Sequence, residues 1–580
     1  MRAWRSYMVL ALLLAGCGGG DSLGYPELAD PTPFHPAREL RIETGSALDT
    51  VPVGIPVNLA WAPEGFVQYL WTLRTPAGSG AALSNPTSPT PSFVPDVEGD
   101  YEVVVATMVG PTPLEQSRRK LTAAIYLGQA ACTACHEERA QSAAMTGHGT
   151  TLELRAAELF ATPGCLNCHV LGSYAGSAVP APGGFDDEAQ RVGFDPLTYV
   201  YSNYVAFATE YPTLDDLGSV QCESCHGPGS LHESDPRRTE VSTSAEVCGA
   251  CHNTFGPRFK QWQLSVHAAP PPPPSIDDPD CARCHTARAF ARNIAQSLPR
   301  EEGTAAPGVT CAACHDPHSD TNDSGVRVFG DVPLGDGTLV PAGRAAACVT
   351  CHQSGISDPA LHADDGEPFP FAVQAEMVFG YGAIETGGAA YGSSFHGDPG
   401  FKLRNFTGDP DDPDYAEACV TCHMAPTPAS GPHEDRVGAH ALRLTDGDFE
   451  LVSGNCDRCH AGLTTFDRNL GHDYDGNGTA DGVQTEVRGL IENLYAALEA
   501  ADGLDGLSRP GGPGTLVEVA TDLSLTTAPL REAAFNYDFV VKDGSLGVHN
   551  TVYAVQLLQR TYERVTGVDY TTAFPMAFAP

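Results

Sequence analysis

Apolar positions recur with two different periods at the two ends of the chain. Every second residue is apolar in the segment 51–59, and turn-rich sequence follows it. This alternation predicts strands with one buried face, and we interpret residues 40–125 as a small β-sandwich. In the segment 487–498 the apolar residues are instead three or four apart, as they are from about 550 to 565. That spacing predicts amphipathic helices near the C-terminus.

Between these regions neither period persists, and one motif, Cys-x-x-Cys-His, occurs nine times and uses 18 of the 19 cysteines. Its cysteines are Cys132, Cys135, Cys165, Cys168, Cys222, Cys225, Cys248, Cys251, Cys281, Cys284, Cys311, Cys314, Cys348, Cys351, Cys419, Cys422, Cys456 and Cys459. Its histidines are His136, His169, His226, His252, His285, His315, His352, His423 and His460.

The spacing of this motif suits covalent haem attachment. Two thiols three positions apart can each form a thioether to a vinyl group of one haem, and the adjacent imidazole then reaches the iron. A single copy could be half of a zinc site or a redox dithiol, but nine copies with histidine in the same place exclude both. The sequence therefore predicts nine covalently bound haems c, with the motif histidines as proximal iron ligands.

The predicted fold class is multi-domain: a small N-terminal β-sandwich, followed by a loop-rich, mainly α multihaem cytochrome c domain. The motifs span residues 126–475, and residues 476–580 form the C-terminal helical part of that domain. Many glycines (61) and prolines (47) accompany a hydrophobic fraction of 42%. Porphyrins would thus supply much of the apolar interior.

The histidines outside the motifs are the candidates for the second axial position of each iron. A haem that only carries electrons has both axial positions filled, whereas one that reacts with substrate leaves one open. Of 20 histidines, nine belong to motifs and eleven remain. His35 lies in a predicted tether and His433 is a surplus candidate; Met145 and Met377 are alternatives in principle. The nine predicted distal ligands are His148, His232, His267, His318, His362, His396, His440, His472 and His549.

The remaining cysteine, Cys17, follows two arginines, a short apolar run and Leu14-Ala-Gly16. Residues 1–16 are thus predicted to be a secretory signal peptide. The ending is similar to a bacterial lipobox, which implies lipidation of Cys17 after cleavage; the alternative is an ordinary signal peptide with an incidental cysteine. Residues 17–39 are predicted to be a tether. We expect an exported bacterial lipoprotein located at the outer membrane, on either its periplasmic or its cell-surface face.

Several segments resemble the lipoprotein multihaem cytochromes of bacteria that respire on extracellular acceptors. They are Gly547-Val-His-Asn-Thr-Val-Tyr553, Cys222 to His232 and Cys311 to His318. The resemblance implies that the extra histidine after a motif ligates a neighbouring haem. One departure is Pro370-Phe371, where relatives often carry Pro-His. Separately, Asp96-x-x-Gly-x-Tyr101 resembles the tyrosine corner of Ig-like and PKD domains.

The formal net charge of −39 excludes nucleic acid as a partner. Such a surface would attract cationic partners or metal ions, or would serve solubility alone. The expected partners are redox proteins or an extracellular electron acceptor, together with the membrane through the lipid.

An acidic, glycine-rich loop follows His472 and predicts a Ca²⁺ site. Oxygen donors at positions 1, 3, 5 and 9, with glycine at position 6 and a backbone carbonyl at position 7, fit an EF-hand-like loop. Position 12 is Gln484 rather than Glu, and Glu486 comes two residues late. The predicted ligands are Asp473, Asp475, Asn477, Thr479 and Asp481.

These patterns predict an electron carrier with mostly bis-histidine haems rather than an enzyme. The alternative is an oxidoreductase that reduces a small nitrogen or sulfur compound at one open haem. All nine motifs end in His, and none has the Cys-x-x-Cys-Lys form of pentahaem nitrite reductases. An adhesin is disfavoured because the Ig-like segment covers under a fifth of the chain.

Overall fold

The structure is a computed structural model, and its described part contains two compact units, residues 33–327 and residues 328–580. Within residues 43–580 it describes everything except 45–47, 62–67, 110–111, 175–176, 178, 233, 236–237, 240, 255, 270–278, 296–307, 323, 366–371, 387–390, 393–395, 397–417 and 503–526. The predicted signal peptide, Cys17, the tether with His35, and Pro370-Phe371 lie outside the described residues.

The first unit begins with strands that form two sheets in the described part. The strands are β1 Glu43–Thr44, β2 Thr50–Pro52, β3 Val57–Ala60, β4 Gln68–Arg74, β5 Ser92–Phe93, β6 Gly99–Val109 and β7 Thr112–Ala124. One sheet has the order β1-β3-β5 and the other β2-β7-β6-β4, in which β2 and β7 are parallel. Residues from both sheets share one apolar core, which includes Leu59, Trp71, Phe93 and Val105. The assignment of this segment to the Ig/PKD class stays a prediction.

The alternating segment 51–59 is divided between the two sheets rather than forming one strand. Gly54 has φ +84°, which glycine adopts readily, and it breaks the segment between β2 and β3. Val51, Val57 and Leu59 nevertheless all lie in the core. The alternation of apolar residues thus correctly predicts the buried positions on both sides of Gly54, but it did not predict the turn at Gly54 itself.

Tyr101 lies at the centre of this core, and its ring is completely buried. Its hydroxyl donates to the carbonyl oxygen of Val97 at 3.0 Å and accepts the amide N–H groups of Asp96 and Val97, both at 3.3 Å. A buried tyrosine that ties its hydroxyl to the preceding turn stabilises the start of β6.

The rest of the first unit consists of short helices joined by loops. Its helices are α1 Gln129–Thr133, α2 Glu137–Ala144, α3 Thr151–Ala161, α4 Leu166–His169, α5 Phe185–Val192, α6 Tyr204–Glu210, α7 Pro212–Asp215, α8 Cys222–His226, α9 Ala245–Gly249, α10 Arg258–Gln263, α11 Pro279–His285, α12 Ala287–Ala295 and α13 Cys311–Cys314, with 3₁₀ turns Pro163–Cys165 and Val266–Ala268. A second core, rich in aromatic residues, surrounds Phe160, Phe194 and Phe207.

The second unit combines two small hairpins with a helical bundle. Its strands are β8 Gly330–Pro333, β9 Leu339–Gly343, β10 Thr445–Asp446 and β11 Phe449–Glu450. Its helices are α14 Ala346–Cys351, α15 Pro359–Asp365, α16 Gln374–Phe379, α17 Ala418–His423, α18 Val483–Asp502, α19 Ala528–Asp543, α20 Thr551–Thr566 and α21 Tyr570–Ala573, with 3₁₀ turns Ala439–Ala441 and Cys456–Arg458. Helices α18, α19 and α20 pack together around a large apolar core.

Helices α18 and α20 match the predicted helices, whereas the sequence pattern did not reveal α19. Most of its side chains are buried, including Asn536 and Asp538, so no single apolar stripe marks one face. Across the described residues, no helix is both long and apolar enough to cross a bilayer.

Candidate haem-binding sites

Each cysteine motif lies on, or directly beside, a short helix or a single helical turn. In the first motif the amide of His136 donates to the carbonyl oxygen of Cys132 at 2.9 Å, and His352 and Cys348 make the same bond at 2.7 Å. A helical turn brings residues three and four apart to one face. The two thiols and the imidazole of a motif can therefore converge on one porphyrin.

Within the described residues, five motif imidazoles each face a histidine from outside the motifs. In the first unit these pairs are His136 with His232, His252 with His148, and His226 with His318, with ring centroids 6.3, 5.9 and 6.1 Å apart. In the second unit they are His460 with His396 and His423 with His549, at 6.1 and 6.4 Å.

These separations fit two imidazoles on opposite sides of one metal. A ligating nitrogen lies about 2 Å from a metal and its ring centroid about 1.1 Å farther, so trans imidazoles have centroids about 6.2 Å apart. With the adjacent thiols, the five pairs provide the donors that a bis-histidine haem c requires.

Burial favours the neutral form of several of these rings, which is the form that binds iron. It is the largest cause that lowers the pKa of His148, His252, His423 and His460. His549 differs, because burial acts to lower its pKa but the Asp543 carboxylate opposes burial, and the net shift is upward.

The protein also holds the outer nitrogen, Nδ1, of several rings. The Nδ1 atoms of His423 and His396 lie 2.9 Å from the carbonyl oxygens of Leu442 and Val548. Such bonds fix the tautomer and leave Nε2 for a metal.

Two other rings have a carboxylate at Nδ1. His318 Nδ1 lies 3.2 Å from Asp316, and His549 Nδ1 lies 2.5 Å from Asp543. A carboxylate bond also orients the ring, and it adds a negative charge next to the ligand.

Contacts between cysteines show which motifs are neighbours in space. The thiols of Cys132 and Cys222 interact, as do those of Cys168 and Cys251, Cys248 and Cys311, and Cys348 and Cys419. The first motif therefore adjoins the third, the second the fourth, the fourth the sixth, and the seventh the eighth. The order of the motifs in the first unit is not their order in the chain.

The other predicted distal ligands occupy varied positions. His267 and His440 lie in the 3₁₀ turns Val266–Ala268 and Ala439–Ala441. His362 packs edge-on against Phe535, and His472 stacks on Phe578 with ring centroids 4.1 Å apart. The surplus histidine, His433, stacks on Phe449 and bonds to Asp446 through Nδ1 at 2.8 Å. The ligand roles of His267, His362, His440 and His472 stay predictions, as do those of the five paired histidines.

The acidic loop brings together Asp473, Asp475 and a residue that the sequence pattern set aside, Glu486. Ligand atoms of these three carboxylates all lie within 4.8 Å of one another. Burial, followed by the charges of Glu486 and Asp473, raises the pKa of Asp475 to about 6. Gln484 points elsewhere, since its side-chain amide donates to the carbonyl oxygen of Ser545 at 3.2 Å. The side-chain amide of Asn477 donates to Asp475 at 3.0 Å, the Thr479 amide donates to the side-chain oxygen of Asn477 at 2.8 Å, and the Asp481 amide donates to Glu486 at 2.6 Å. The roles of Asn477, Thr479 and Asp481 as Ca²⁺ ligands stay predictions.

Sequence reasoning also missed Asp543, which contacts a predicted ligand from the end of the unpredicted helix α19. An aspartate six residues before a histidine is too common a pattern to have signalled this contact.

No protein-family model matches this chain, and no curated protein matches it. Among solved structures, the crystal structure of Outer Cell Wall Cytochrome OcwA is similar, with a TM-score of 0.43 and 17% sequence identity. The similarity covers 76% of this chain and 100% of that chain. A similarity this low assigns neither a cofactor nor a residue role here.

Proposed function

We propose that the chain is a nine-haem c-type cytochrome that carries electrons rather than transforming a substrate. The observation that carries this proposal is the five pairs of facing imidazoles with centroids 5.9–6.4 Å apart, each of which joins a motif histidine to a histidine outside the motifs. When bound, each haem would supply a one-electron ferric/ferrous couple.

The protein's own residues would attach, orient and insulate the cofactors. The two cysteines of each motif would hold one porphyrin through thioethers. At the five paired motifs, the two imidazoles would both bind the iron and leave it no open position for a substrate. The Nδ1 bonds of His396 and His423 fix the ring orientations. The contacts between cysteines of different motifs would keep neighbouring haems close, as electron transfer requires.

Electron paramagnetic resonance of the oxidised full-length protein, with total haem measured by the pyridine haemochrome assay, tests this function. Nine haems that are all low-spin, and that do not respond to nitrite or, after reduction, to carbon monoxide, are the expected result. A high-spin signal from one haem in nine that changes with a small ligand would instead identify an oxidoreductase. Fewer than nine haems would contradict the attachment of one per motif.

We also propose that the protein is exported and held at the outer membrane by lipid on Cys17, where it exchanges electrons with redox proteins or an extracellular acceptor. The lipobox-like sequence and the export that thioether attachment requires support this location. The variant Cys17→Ala should move the protein from the membrane fraction to the soluble fraction without loss of haem. A variant that stays with the membrane would contradict lipid anchoring.

We further propose that Asp473, Asp475 and Glu486 bind a structural Ca²⁺. The loop pattern and the close approach of the three carboxylates support this site. Glu486 lies in the first turn of helix α18 and also accepts the amide N–H groups of Tyr474 at 2.7 Å and Asp481 at 2.6 Å, so the site links the loop to the helical core.

Bound Ca²⁺ should raise the melting temperature, because a ligand that binds only the folded state stabilises it by about 2.7 kcal/mol at 100 times its Kd. Differential scanning calorimetry with Ca²⁺ and with chelator measures this shift. Asp475→Asn should abolish the Ca²⁺ response, whereas Asp457→Asn, at a half-buried position outside the acidic loop, should retain it. An equal melting temperature with and without Ca²⁺ would contradict the site.

A further inference from the structure

We propose that Asp543 is a redox-tuning residue that lowers the reduction potential of the haem held by Cys419, Cys422 and His423. It would act through the opposite ligand, His549. The inference rests on the proposed function, and it adds a ranking among the haems that neither the motifs nor the histidine count provides.

The geometry around His549 is specific. Asp543 is the last residue of helix α19, and its side chain is fully buried. Its Oδ1 atom lies 2.5 Å from Nδ1 of His549. A carboxylate only accepts, so the imidazole must donate from Nδ1 and keep Nε2 for iron.

Ser545 holds the carboxylate in this position. Its hydroxyl donates to Oδ2 of Asp543, and its amide donates to the same atom at 3.2 Å. The Ser545 hydroxyl oxygen in turn accepts the amide N–H of His549 at 3.1 Å. Serine, aspartate and histidine thus form one connected group that fixes the ring opposite His423.

The chemical consequence is a stronger ligand. A buried carboxylate that accepts the Nδ1 proton makes the imidazole a better electron donor at Nε2, which favours the ferric state. The negative charge acts in the same direction, because it stabilises the more positive oxidation state and is weakly screened inside a protein. The Nδ1 proton remains in this hydrogen bond in both states, so only one electron moves.

Other described imidazole pairs provide a graded comparison. Asp316 lies 3.2 Å from Nδ1 of His318, but its second oxygen is 3.1 Å from the guanidinium of Arg327, which offsets its charge. His396 has only a neutral carbonyl at Nδ1. We therefore expect the haem at His423 to have the lowest reduction potential of the three. The haem at His226, opposite His318, should come next, and the haem at His460, opposite His396, should have the highest.

The position of this motif gives the ranking a functional meaning. Cys419 contacts Cys348 of the seventh motif, and the carbonyl oxygen of Cys422 accepts the side-chain amide of Asn455, next to the ninth motif, at 3.3 Å. The eighth motif is thus the middle of a row of three. A potential at the eighth motif below that of the ninth would make electron transfer from the ninth haem to the eighth uphill, and Asp543 would set the size of that step.

The test is potentiometric titration of the full-length holoprotein, followed by visible and paramagnetic resonance spectra. Asp543→Asn keeps an oxygen for the Nδ1 proton but removes the charge. It should change the ratio of reduced to oxidised forms of one haem in nine about tenfold at a fixed potential, an upward shift of about 59 mV for one electron. The matched control, Asp316→Asn, should change that ratio less than threefold, because Arg327 already offsets the charge.

A second variant keeps the test decisive if Asp543→Asn does not fold. Ser545→Ala removes the hydroxyl from Oδ2 and leaves more negative charge on the oxygen facing His549, so it should lower the same potential. Unchanged potentials in the folded variants, or an equal shift in Asp316→Asn, would overturn the inference. The haem count and spin states of the unmodified protein test the proposed function separately, before any variant is made.

Discussion

The two units obtain the partners for their motif imidazoles in different ways. In residues 33–327, two of the three partners follow directly after another motif: His232 comes after the third motif and faces the first, and His318 comes after the sixth and faces the third. In residues 328–580, His396 and His549 belong to segments outside the motifs, and His549 lies two residues before the start of helix α20. Motifs of the first unit are therefore mutually dependent, whereas those of the second depend on the surrounding fold.

The second unit also has a larger apolar core than the motif-bearing part of the first unit. Helices α18, α19 and α20 give the second unit one large core of leucine, valine and aromatic side chains. The motif-bearing part of the first unit has a smaller aromatic cluster beside its second motif. We infer that bound haem would contribute more to the stability of the motif-bearing part of the first unit than to that of the second unit, because the polypeptide there supplies less apolar contact of its own.

The largest difference between the units should appear when the haem-attaching cysteines of one motif are replaced in each unit and the lost haems are counted. Cys222→Ala with Cys225→Ala should cost at least two low-spin haems, since the same segment carries His226 and supplies His232 to the first motif. Cys456→Ala with Cys459→Ala should cost only one of nine. Haemochrome assay and paramagnetic resonance measure both outcomes, and equal losses from the two variants would remove the proposed distinction between the units.

A smaller effect is expected from removing one distal ligand of the second unit. His549→Ala should convert one low-spin haem in nine to high-spin, and added imidazole should restore it by entering the vacated space. The control is His433→Ala, because that ring stacks on Phe449 and bonds to Asp446, and its loss should leave all spin states unchanged. A low-spin spectrum in His549→Ala without imidazole would argue against the pairing with His423.

The smallest effect concerns stability without any change at a cofactor. Leu494 is completely buried in helix α18, and its replacement by alanine should cost about 2–5 kcal/mol of unfolding free energy. Leu197 in the first unit is 74% exposed, so Leu197→Ala should change stability by no more than about 0.5 kcal/mol. Urea unfolding monitored by circular dichroism measures both, and a neutral Leu494→Ala would show that the helical core is not what stabilises this unit.

Much of the fold could be predicted where the signal is local. The alternation in segment 51–59 and the helical spacing in segments 487–498 and 550–565 correspond to observed strands and helices. The turn at Gly54 divides segment 51–59 between two sheets. The sequence pattern did not predict this division, because it depends on which other strands are available for pairing. Helix α19 was not predicted, because it is buried on nearly all sides and its sequence therefore has no periodic apolar stripe.

The sequence by itself determined where haem can attach, because thioether spacing is a property of five consecutive residues. Counting alone also limited the candidates for the second axial ligand to the eleven histidines outside the motifs. Only the tertiary structure decided which histidine faces which motif, that Glu486 rather than Gln484 completes the acidic cluster, and that Asp543 rather than a carbonyl binds His549. Those partners lie on separate segments of the chain. The packing of helices and loops brings them together, and no short sequence pattern encodes that packing.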